Sequence, residues 1–216
     1  MKSKFVWVCV FFLLAGTALV VEATPIADSV DEFSGTQGQG NWYYGYYDGD
    51  GSVPYSSADF EEFPHYDGGW YIDRALYWTD LSADRCHPHG LNHNWDPYAP
   101  AEHWAVRRWV SEVNGSINIT GVLADIDKNV NFGDGIVGHI LINSTDVFTQ
   151  IINEGESINY NINAIVTVGS LVDFAVAPRS RDWYDSTKFT AVITPEPATL
   201  LLLGFGGLAV LRNRRA

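Results

Sequence analysis

The stretch SINYNINAIVTV, residues 157–168, alternates between apolar and polar side chains with a period of two. Its apolar positions are Ile158, Tyr160, Ile162, Ala164, Val166 and Val168. The polar positions between them include Asn159, Asn161, Asn163 and Thr167. Because successive side chains of a β-strand point to opposite faces of the sheet, this pattern predicts one long strand. We expect it to be buried on its apolar face and solvated on its asparagine face.

Shorter runs of the same kind lie on both sides of this stretch. They predict strands at residues 116–123, 136–142, 147–152, 171–176 and 188–193. Turn-forming Gly, Asn, Asp and Pro residues separate these runs. Short strands spaced about 10 residues apart, with almost no helical periodicity, predict an all-β protein. The expected fold is a single antiparallel β-sandwich of the jelly-roll kind.

The first half of the chain is rich in aromatic residues and less regular. Residues 42–47 predict an aromatic strand, and residues 105–110 predict another. The acidic stretch 57–63 predicts a short helix that Pro64 would end. Residues 80–102 have the Pro, His, Asn and Asp content that is typical of a long loop.

The N-terminus has the pattern of a secretory signal peptide. Lys2 and Lys4 precede the apolar run 5–21, and Val21-Glu22-Ala23 is a small-residue cleavage site. We therefore expect residues 1–23 to be removed, so that the mature chain has left the cytosol. An uncleaved N-terminal anchor is the alternative, because the apolar run is slightly long for a signal peptide.

The C-terminal residues 194–216 combine three features in a fixed order. Thr194-Pro195-Glu196-Pro197 comes first, and the apolar run 198–211 follows it. Three arginines come last: Arg212, Arg214 and Arg215. As a helix the run would span about 21 Å, against about 30 Å for a bilayer core. It has no polar face, which disfavours a core helix, and a basic end is typical of a membrane segment.

These three features resemble the PEP-CTERM protein-sorting signal of Gram-negative bacteria. The resemblance implies that Pro195, Glu196, Pro197 and the three arginines form the signal. It also implies transient insertion into the inner membrane by the secretion machinery, followed by cleavage near Pro-Glu-Pro by an exosortase. The rest of the protein would then reach the outer surface or the extracellular matrix.

The body between the two ends, residues 24–193, is long enough for one domain. Five of the 13 basic residues but only two of the 26 acidic residues lie in the ends. The body therefore has 8 basic and 24 acidic residues, a net charge of −16. Such a charge excludes nucleic acid as a partner, because nucleic-acid binding requires Lys and Arg to neutralise phosphates. Cys86 is the single cysteine of the body, which excludes an intramolecular disulfide.

Aromatic residues make up 14% of the chain, more than one small core readily holds. An aromatic ring is a stacking platform for the C–H face of a sugar, and polar side chains beside it fix the hydroxyl groups. The predicted stacking residues are Trp42, Tyr44, Trp104 and Trp183. Their predicted polar partners are His87, Arg107 and Asp185. For each single ring, the alternative is a place in the core.

Several blocks of the body resemble a secreted bacterial β-sandwich module. They are EFSGTQGQGNWYYGYYDGD, CHPHG, AVRRWVSEVNGSINITG, GDGIVGHILINS and VGSLVDFAVAPRSRDWYDSTKFTAVI, which together span most of residues 32–193. That module is similar to galactose-binding-like carbohydrate-binding domains. The resemblance implies a jelly roll with glycan binding and assigns no catalytic residue.

Two groups of residues have the chemistry of metal ligands. Asp125, Asp127, Asn129 and Asp134 begin like a calcium-binding EF-hand loop, but Val130 and Ile136 stand where that loop needs Gly and Glu. A looser structural calcium site and a plain polar turn remain as alternatives. The second group is Cys86, His87, His89, His93 and His103, whose spacing matches no zinc pattern. For this group we expect a polar loop beside the ligand face.

The sequence contains no nucleophile motif, no metalloprotease motif and no phosphate-binding loop. We therefore expect a protein that is not an enzyme, has no catalytic residues and binds extracellular polysaccharide. One alternative is a structural protein of the surface or biofilm matrix without a small ligand. A polysaccharide-degrading enzyme is the second, although nothing in the spacing of the carboxylates selects a catalytic pair.

Overall fold

The computed structural model describes residues 24–49, 55–91, 101–127 and 132–196. The predicted signal peptide, the apolar run 198–211 and the arginines after it lie outside these ranges. No helix within the ranges is long and apolar enough to cross a membrane.

The described residues form fourteen strands and two short 3-10 helices, Gln39–Asn41 and Ser57–Asp59. The strands are β1 (Ala27–Asp28), β2 (Trp42–Gly49), β3 (Phe60–Glu62), β4 (His65–Tyr66), β5 (Trp70–Tyr71), β6 (Asp80–Leu81), β7 (Arg85–His87), β8 (Glu102–Val110), β9 (Gly115–Asp125), β10 (Ile136–Ile142), β11 (Thr145–Ile152), β12 (Ser157–Val166), β13 (Leu171–Pro178) and β14 (Thr187–Pro195).

The strands form two antiparallel sheets. The first has the order β12-β9-β14-β7-β6-β5-β4, with β1 also paired to β14, and the second has the order β11-β10-β13-β8-β2-β3. The chain crosses between the sheets from β1 to β2, from β3 to β4, at each connection from β7 to β10, and at each connection from β11 to β14. The predicted antiparallel β-sandwich is confirmed, and repeated crossing between two sheets is the connectivity that a jelly roll requires.

The alternating stretch forms β12, which pairs with β9 along its whole length. Tyr160 is buried on its inner face, and its hydroxyl donates to the carbonyl oxygen of Thr190 at 2.6 Å. The strand ends at Val166, because the next residues make a turn in which Gly169 has a φ of +86°. Val168 therefore lies outside the strand and is exposed, contrary to the prediction.

Two predictions for the first half of the chain are wrong. The stretch 57–63 is a 3-10 turn followed by β3, because Phe60–Glu62 pairs with β2 instead of continuing a helix. The predicted loop at 80–102 contains β6 and β7, which pair with each other. This β6–β7 hairpin extends the first sheet beyond β14.

Aromatic rings and branched aliphatic side chains fill the space between the sheets. Trp42, Tyr44 and Trp109 are almost completely buried there. Phe174 packs edge to face on Phe189 of the opposite sheet, with ring centroids 5.8 Å apart. Edge-to-face pairs of this kind add to the stabilisation that area burial gives.

A charged residue, Arg107 of β8, is also buried in this core. Its two terminal nitrogens donate to the backbone carbonyls of Ser29 and Ser82, each at 2.8 Å. Burial lowers the pKa of Arg107. The contact fastens the residue after β1 and the turn of the β6–β7 hairpin to the second sheet.

A second buried arginine makes an ion pair on the outer side of the second sheet. Arg108 Nε lies 2.6 Å from Asp173 Oδ1, opposite it on the neighbouring strand. The hydroxyls of Tyr47 and Ser57 both donate to Asp173 Oδ2 at 2.7 Å. Every oxygen of this carboxylate is thus satisfied, and the pair holds the segment before β3 against the sheet.

We expect Asp173→Ala to reduce the free energy of unfolding by about 3–5 kcal/mol, because it leaves Arg108 charged and buried without a partner. Urea denaturation followed by tryptophan fluorescence measures this loss. The matched control is Asp67→Ala, which removes the exposed Arg74–Asp67 pair and should cost less than about 1 kcal/mol. Equal losses in the two variants would contradict this account of the buried pair.

The buried His103 predicts that the free energy of unfolding decreases at acidic pH. Burial, and then the nearby His89, lower the pKa of His103 from 6.5 to about 4. As the pH falls from 6.5 to 4, His103 becomes protonated in the unfolded chain but stays neutral in the folded protein, so the free energy of unfolding decreases over that range. We expect the imidazole NMR signals of His103 to shift only near pH 4. A His103→Gln variant should lose less stability over this window than the wild type does.

Candidate functional site

A cleft of about 680 Å³ lies beside the end of the first sheet where β9 ends and β14 begins. The β6–β7 hairpin and the segment before it form one wall, and residues that flank β9, β10 and β14 form the other. Its aromatic lining is Tyr77, Trp78, Phe132, Trp183 and Tyr184, and its ionisable lining is Arg74, Asp80, Arg85, His87 and Asp127. A cleft of this size and mixed lining suits a small molecule or a short segment of a polymer.

Exposed aromatic rings stand on one wall of this cleft. The rings of Phe132 and Tyr184 lie 6.0 Å apart, and 53% and 36% of these residues are exposed. Tyr184 has a φ of +63°, an unusual conformation for a residue with a side chain. The neighbouring Trp183 has a buried indole N–H without a hydrogen-bond partner. This wall therefore offers exposed ring surface for a ligand to cover.

The opposite wall carries polar and charged groups at the β6–β7 hairpin. Arg85 reaches across to Ser186, with Nη2 donating to Oγ at 3.1 Å. His87 is buried, with Nδ1 2.6 Å from the carbonyl oxygen of Pro88, and burial lowers its pKa. Burial raises the pKa of Asp80. A ligand in the cleft would thus meet aromatic surface on one side and hydrogen-bonding groups on the other.

Of the predicted ligand contacts, the structure brings His87 and Trp183 together in the cleft. Trp42 and Tyr44 were wrong as stacking residues, because both lie on the inward face of β2 and neither has an exposed surface. The Trp42 indole N–H donates to Glu32 at 2.7 Å, and Tyr44 stacks on Trp70.

Arg107 was also wrong as a sugar contact, since both of its terminal nitrogens are used in the core. Trp104 lies in a separate groove of about 490 Å³ on the outer side of the second sheet. Its ring is nearly parallel to His139, with centroids 4.6 Å apart, and its N–H donates to Glu102. Trp104 and Trp183 therefore line different cavities and cannot stack on one sugar.

The structure gathers more carboxylates next to the cleft than the calcium prediction named. Asp125 and Asp134 are joined by Glu154 and by Asp185, and Asn129 lies outside the described residues. For Asp125, Glu154 and Asp185, burial comes first among the causes that raise the pKa, and repulsion from neighbouring acids follows. The pKa rises to about 6 for Asp125, to about 7 for Glu154 and to about 10 for Asp185. Asp185, predicted as a sugar contact, is fully buried among these acids.

The predicted histidine and cysteine group has a different role. Burial raises the pKa of the Cys86 thiol to about 12, which keeps it protonated and unreactive at neutral pH. His89 and His103 are buried and join their strand segments by a pair of backbone hydrogen bonds. Within the described ranges, no three or more His, Cys, Asp or Glu side chains are placed so that they could hold a metal ion.

Comparisons with known proteins give one specific match and two distant likenesses. A family profile described as the PEP-CTERM protein-sorting motif matches residues 194–215. The search of curated proteins found no match. Among solved structures, the chain is similar to a family 35 carbohydrate binding module from Clostridium thermocellum. The identity is 13% and the TM-score 0.31, over 52% of this chain and 88% of the module.

The second likeness is to β-glucosidase from Kluyveromyces marxianus. The selenomethionine-labelled form shows 10% identity and a TM-score of 0.35, over 82% of this chain and 19% of the enzyme. The form in complex with glucose shows 9% identity and a TM-score of 0.34, over 75% of this chain and 17% of the enzyme. The chain thus spans about a fifth of the enzyme's length. Likenesses this distant carry no information about a ligand.

The sorting motif begins inside the last strand. Thr194 and Pro195 pair with Asn118 and Ile117 of β9, and the amide of Glu196 donates to the carbonyl oxygen of Ser116 at 3.0 Å. Pro197 and the predicted membrane helix lie outside the described residues. Residues 194–215 are a PEP-CTERM sorting motif, which makes the chain an exported protein of the kind that an exosortase processes.

Proposed function

We propose that the protein binds extracellular polysaccharide in the cleft between the β6–β7 hairpin and the residues around β14, without cleaving it. The observation that carries this proposal is the exposed pair of rings, Phe132 and Tyr184, opposite a polar wall. Two adjacent rings can cover the C–H faces of a pyranose unit at low cost in conformational entropy.

The polar wall supports the same ligand class. The guanidinium of Arg85 and the carboxylate of Asp80 supply donors and acceptors that hydroxyl groups match. Because burial lowers the pKa of His87, its imidazole is neutral at pH 7 and offers hydrogen bonding instead of charge. A site that combines ring surface with hydrogen-bonding groups of both signs suits a sugar better than it suits a strongly charged ligand.

The sorting motif supports the proposed place of action. An exosortase would act on the Pro-Glu-Pro segment after transient insertion of the tail into the inner membrane. The body would then be delivered to the outer surface or extracellular matrix of a Gram-negative bacterium. Its net charge of −16 keeps such a body soluble after release.

The decisive test is a titration of the full chain, kept in a detergent without sugar headgroups, against bacterial and algal polysaccharides. We expect one class of glycan to change the tryptophan fluorescence saturably, because Trp78 and Trp183 line the cleft. Tyr184→Ala should weaken this binding about tenfold, which corresponds to about 1.4 kcal/mol. Isothermal titration calorimetry measures both affinities.

The matched control is Ile165→Ala, since Ile165 is 78% exposed on β12 and lines no part of the cleft. It should bind as the wild type does. Weakening by Trp104→Phe but not by Tyr184→Ala would place the ligand in the outer groove instead. A flat response to every glycan would favour a structural matrix protein, and release of oligosaccharide would favour an enzyme.

A further inference from the structure

Carboxylates from four separate parts of the chain meet beside the cleft. We infer that they bind one calcium ion, and that the ion joins the connections that form the wall of the cleft. The proposed ligands are Asp125, Asp134, Glu154 and Asp185.

Strand register explains why these residues meet. Asp125 is the last residue of β9 and pairs with Thr187, two residues after Asp185. The amide of Asp125 also donates to the carbonyl oxygen of Glu156 at 3.0 Å, which places the turn containing Glu154 beside it. Three of the four connections are therefore fixed by backbone hydrogen bonds, before any contact between side chains is considered.

The fourth connection is held in the same way. Asp134 lies just before β10, whose first residue pairs with Ile152 at the end of β11. The Asp134 carboxylate accepts hydrogen bonds from the backbone and side chain of Ser180, after β13. These contacts leave its other oxygen, Oδ1, buried and without a partner.

The unsatisfied oxygens are the main observation. Asp185 is fully buried, and neither of its carboxylate oxygens has a hydrogen-bond partner. The same holds for both oxygens of Glu154 and for Oδ2 of Asp125, a residue that is only 4% exposed. Protonation alone does not resolve this arrangement, because a carboxylic O–H also needs an acceptor. A buried polar group without a partner destabilises the fold, and several together indicate a missing ligand.

The missing ligand must be a cation. None of the four carboxylates takes part in an ion pair within the described residues, and the repulsion among them is uncompensated. Arg179 donates to the backbone carbonyl of Asp134 and not to its carboxylate. With Asp134 Oδ1, six buried oxygens are unpartnered, and Ca²⁺ takes six to eight oxygen ligands.

The type of ligand selects among cations. All six atoms are carboxylate oxygens, from the end of β9 and from strand connections, whereas Zn²⁺ prefers nitrogen or sulfur. Mg²⁺ demands a near-ideal octahedron and usually keeps several waters, which a buried set of four carboxylates does not favour. In the described residues no three of these side chains are placed to hold a metal ion, so binding requires the carboxylates to move together, and we expect the ion to stiffen the connections.

A glycine shows that one ligand approaches the backbone closely. A Cβ atom at Gly133 would lie 1.8 Å from Glu154 Oε2. This carboxylate oxygen is buried. Any larger residue at this position would displace the carboxylate from the group. Gly133→Ala therefore disturbs the proposed site without removing a charge.

The ion would also affect the cleft, and this part rests on the proposed function. Tyr184 directly precedes Asp185, and Asp127, which lines the cleft, lies two residues after Asp125. The amide of Ser186 donates to Asp127 Oδ2 at 2.8 Å, so the two connections already share a hydrogen bond. A bound ion would hold the aromatic wall in one conformation.

We expect the full chain, freed of metal with EDTA and kept in a sugar-free detergent, to bind one Ca²⁺ in isothermal titration calorimetry. Its thermal midpoint should rise with CaCl2 and much less with equal MgCl2. Tb³⁺ bound in place of Ca²⁺ should luminesce on tryptophan excitation and lose the signal when Ca²⁺ is added, because Trp183 lies close by in sequence and space.

Asp185→Asn and Glu154→Gln should each weaken Ca²⁺ binding at least tenfold, and Gly133→Ala should weaken it as well. Glu154→Gln, at a partly exposed turn, keeps the test valid if Asp185→Asn fails to fold. Glu62→Gln, an exposed carboxylate on β3, is the matched control and should bind as the wild type does.

The absence of any Ca²⁺ heat at millimolar concentration would overturn the inference. So would equal Ca²⁺ affinity in the wild type, Asp185→Asn and Glu154→Gln, since the ion would then sit elsewhere. Equal effects of MgCl2 and CaCl2 would point to screening of the net charge and also count against a site. Glycan binding is read in a separate titration, so the calcium site can stand if the glycan proposal fails.

Discussion

The guanidinium of Arg107 lies between the two sheets. Its hydrogen-bond acceptors are two backbone carbonyls and not a carboxylate. One of these carbonyls belongs to Ser82, at the turn of the β6–β7 hairpin that forms a wall of the cleft. Removing the side chain would leave both carbonyls buried without a donor and would free the hairpin from the second sheet. The position of the candidate site therefore depends on Arg107, a charged residue that does not line the cleft.

Much of the fold was predictable because its strands alternate cleanly. In β12 the apolar face is buried or half-buried and the asparagine face is exposed, so the period of two determines both the strand and its orientation. The aromatic strand β2 is different, since five of its eight residues are buried, on both of its faces. Alternation identifies the two faces of such a strand but not which face meets solvent, and Trp42 and Tyr44 were misplaced for that reason.

Sequence alone could predict only those parts of the candidate site whose residues lie close together along the chain. Trp183 and its acidic neighbours could be found from one polar, aromatic stretch, and Asp125 with Asp134 from another. Glu154 and Asp185 come from connections far along the chain, and only the register of β9 with β12 and β14 brings them to Asp125. Pairing register is a property of the assembled sheets, so no local pattern could have reported it.

The strand β14 links the carboxylate group to the sorting motif. It begins two residues after Asp185, at the carboxylate group, and ends at Pro195, inside the sorting motif. Since β14 pairs with β9, β7 and β1, the first sheet cannot close until the chain up to this point is available. The motif follows the folded body with no spacer, because Glu196 is still hydrogen-bonded to Ser116. An exosortase that cuts near Pro-Glu-Pro must therefore work directly at the end of the interior strand β14, or on a chain whose last strand has opened.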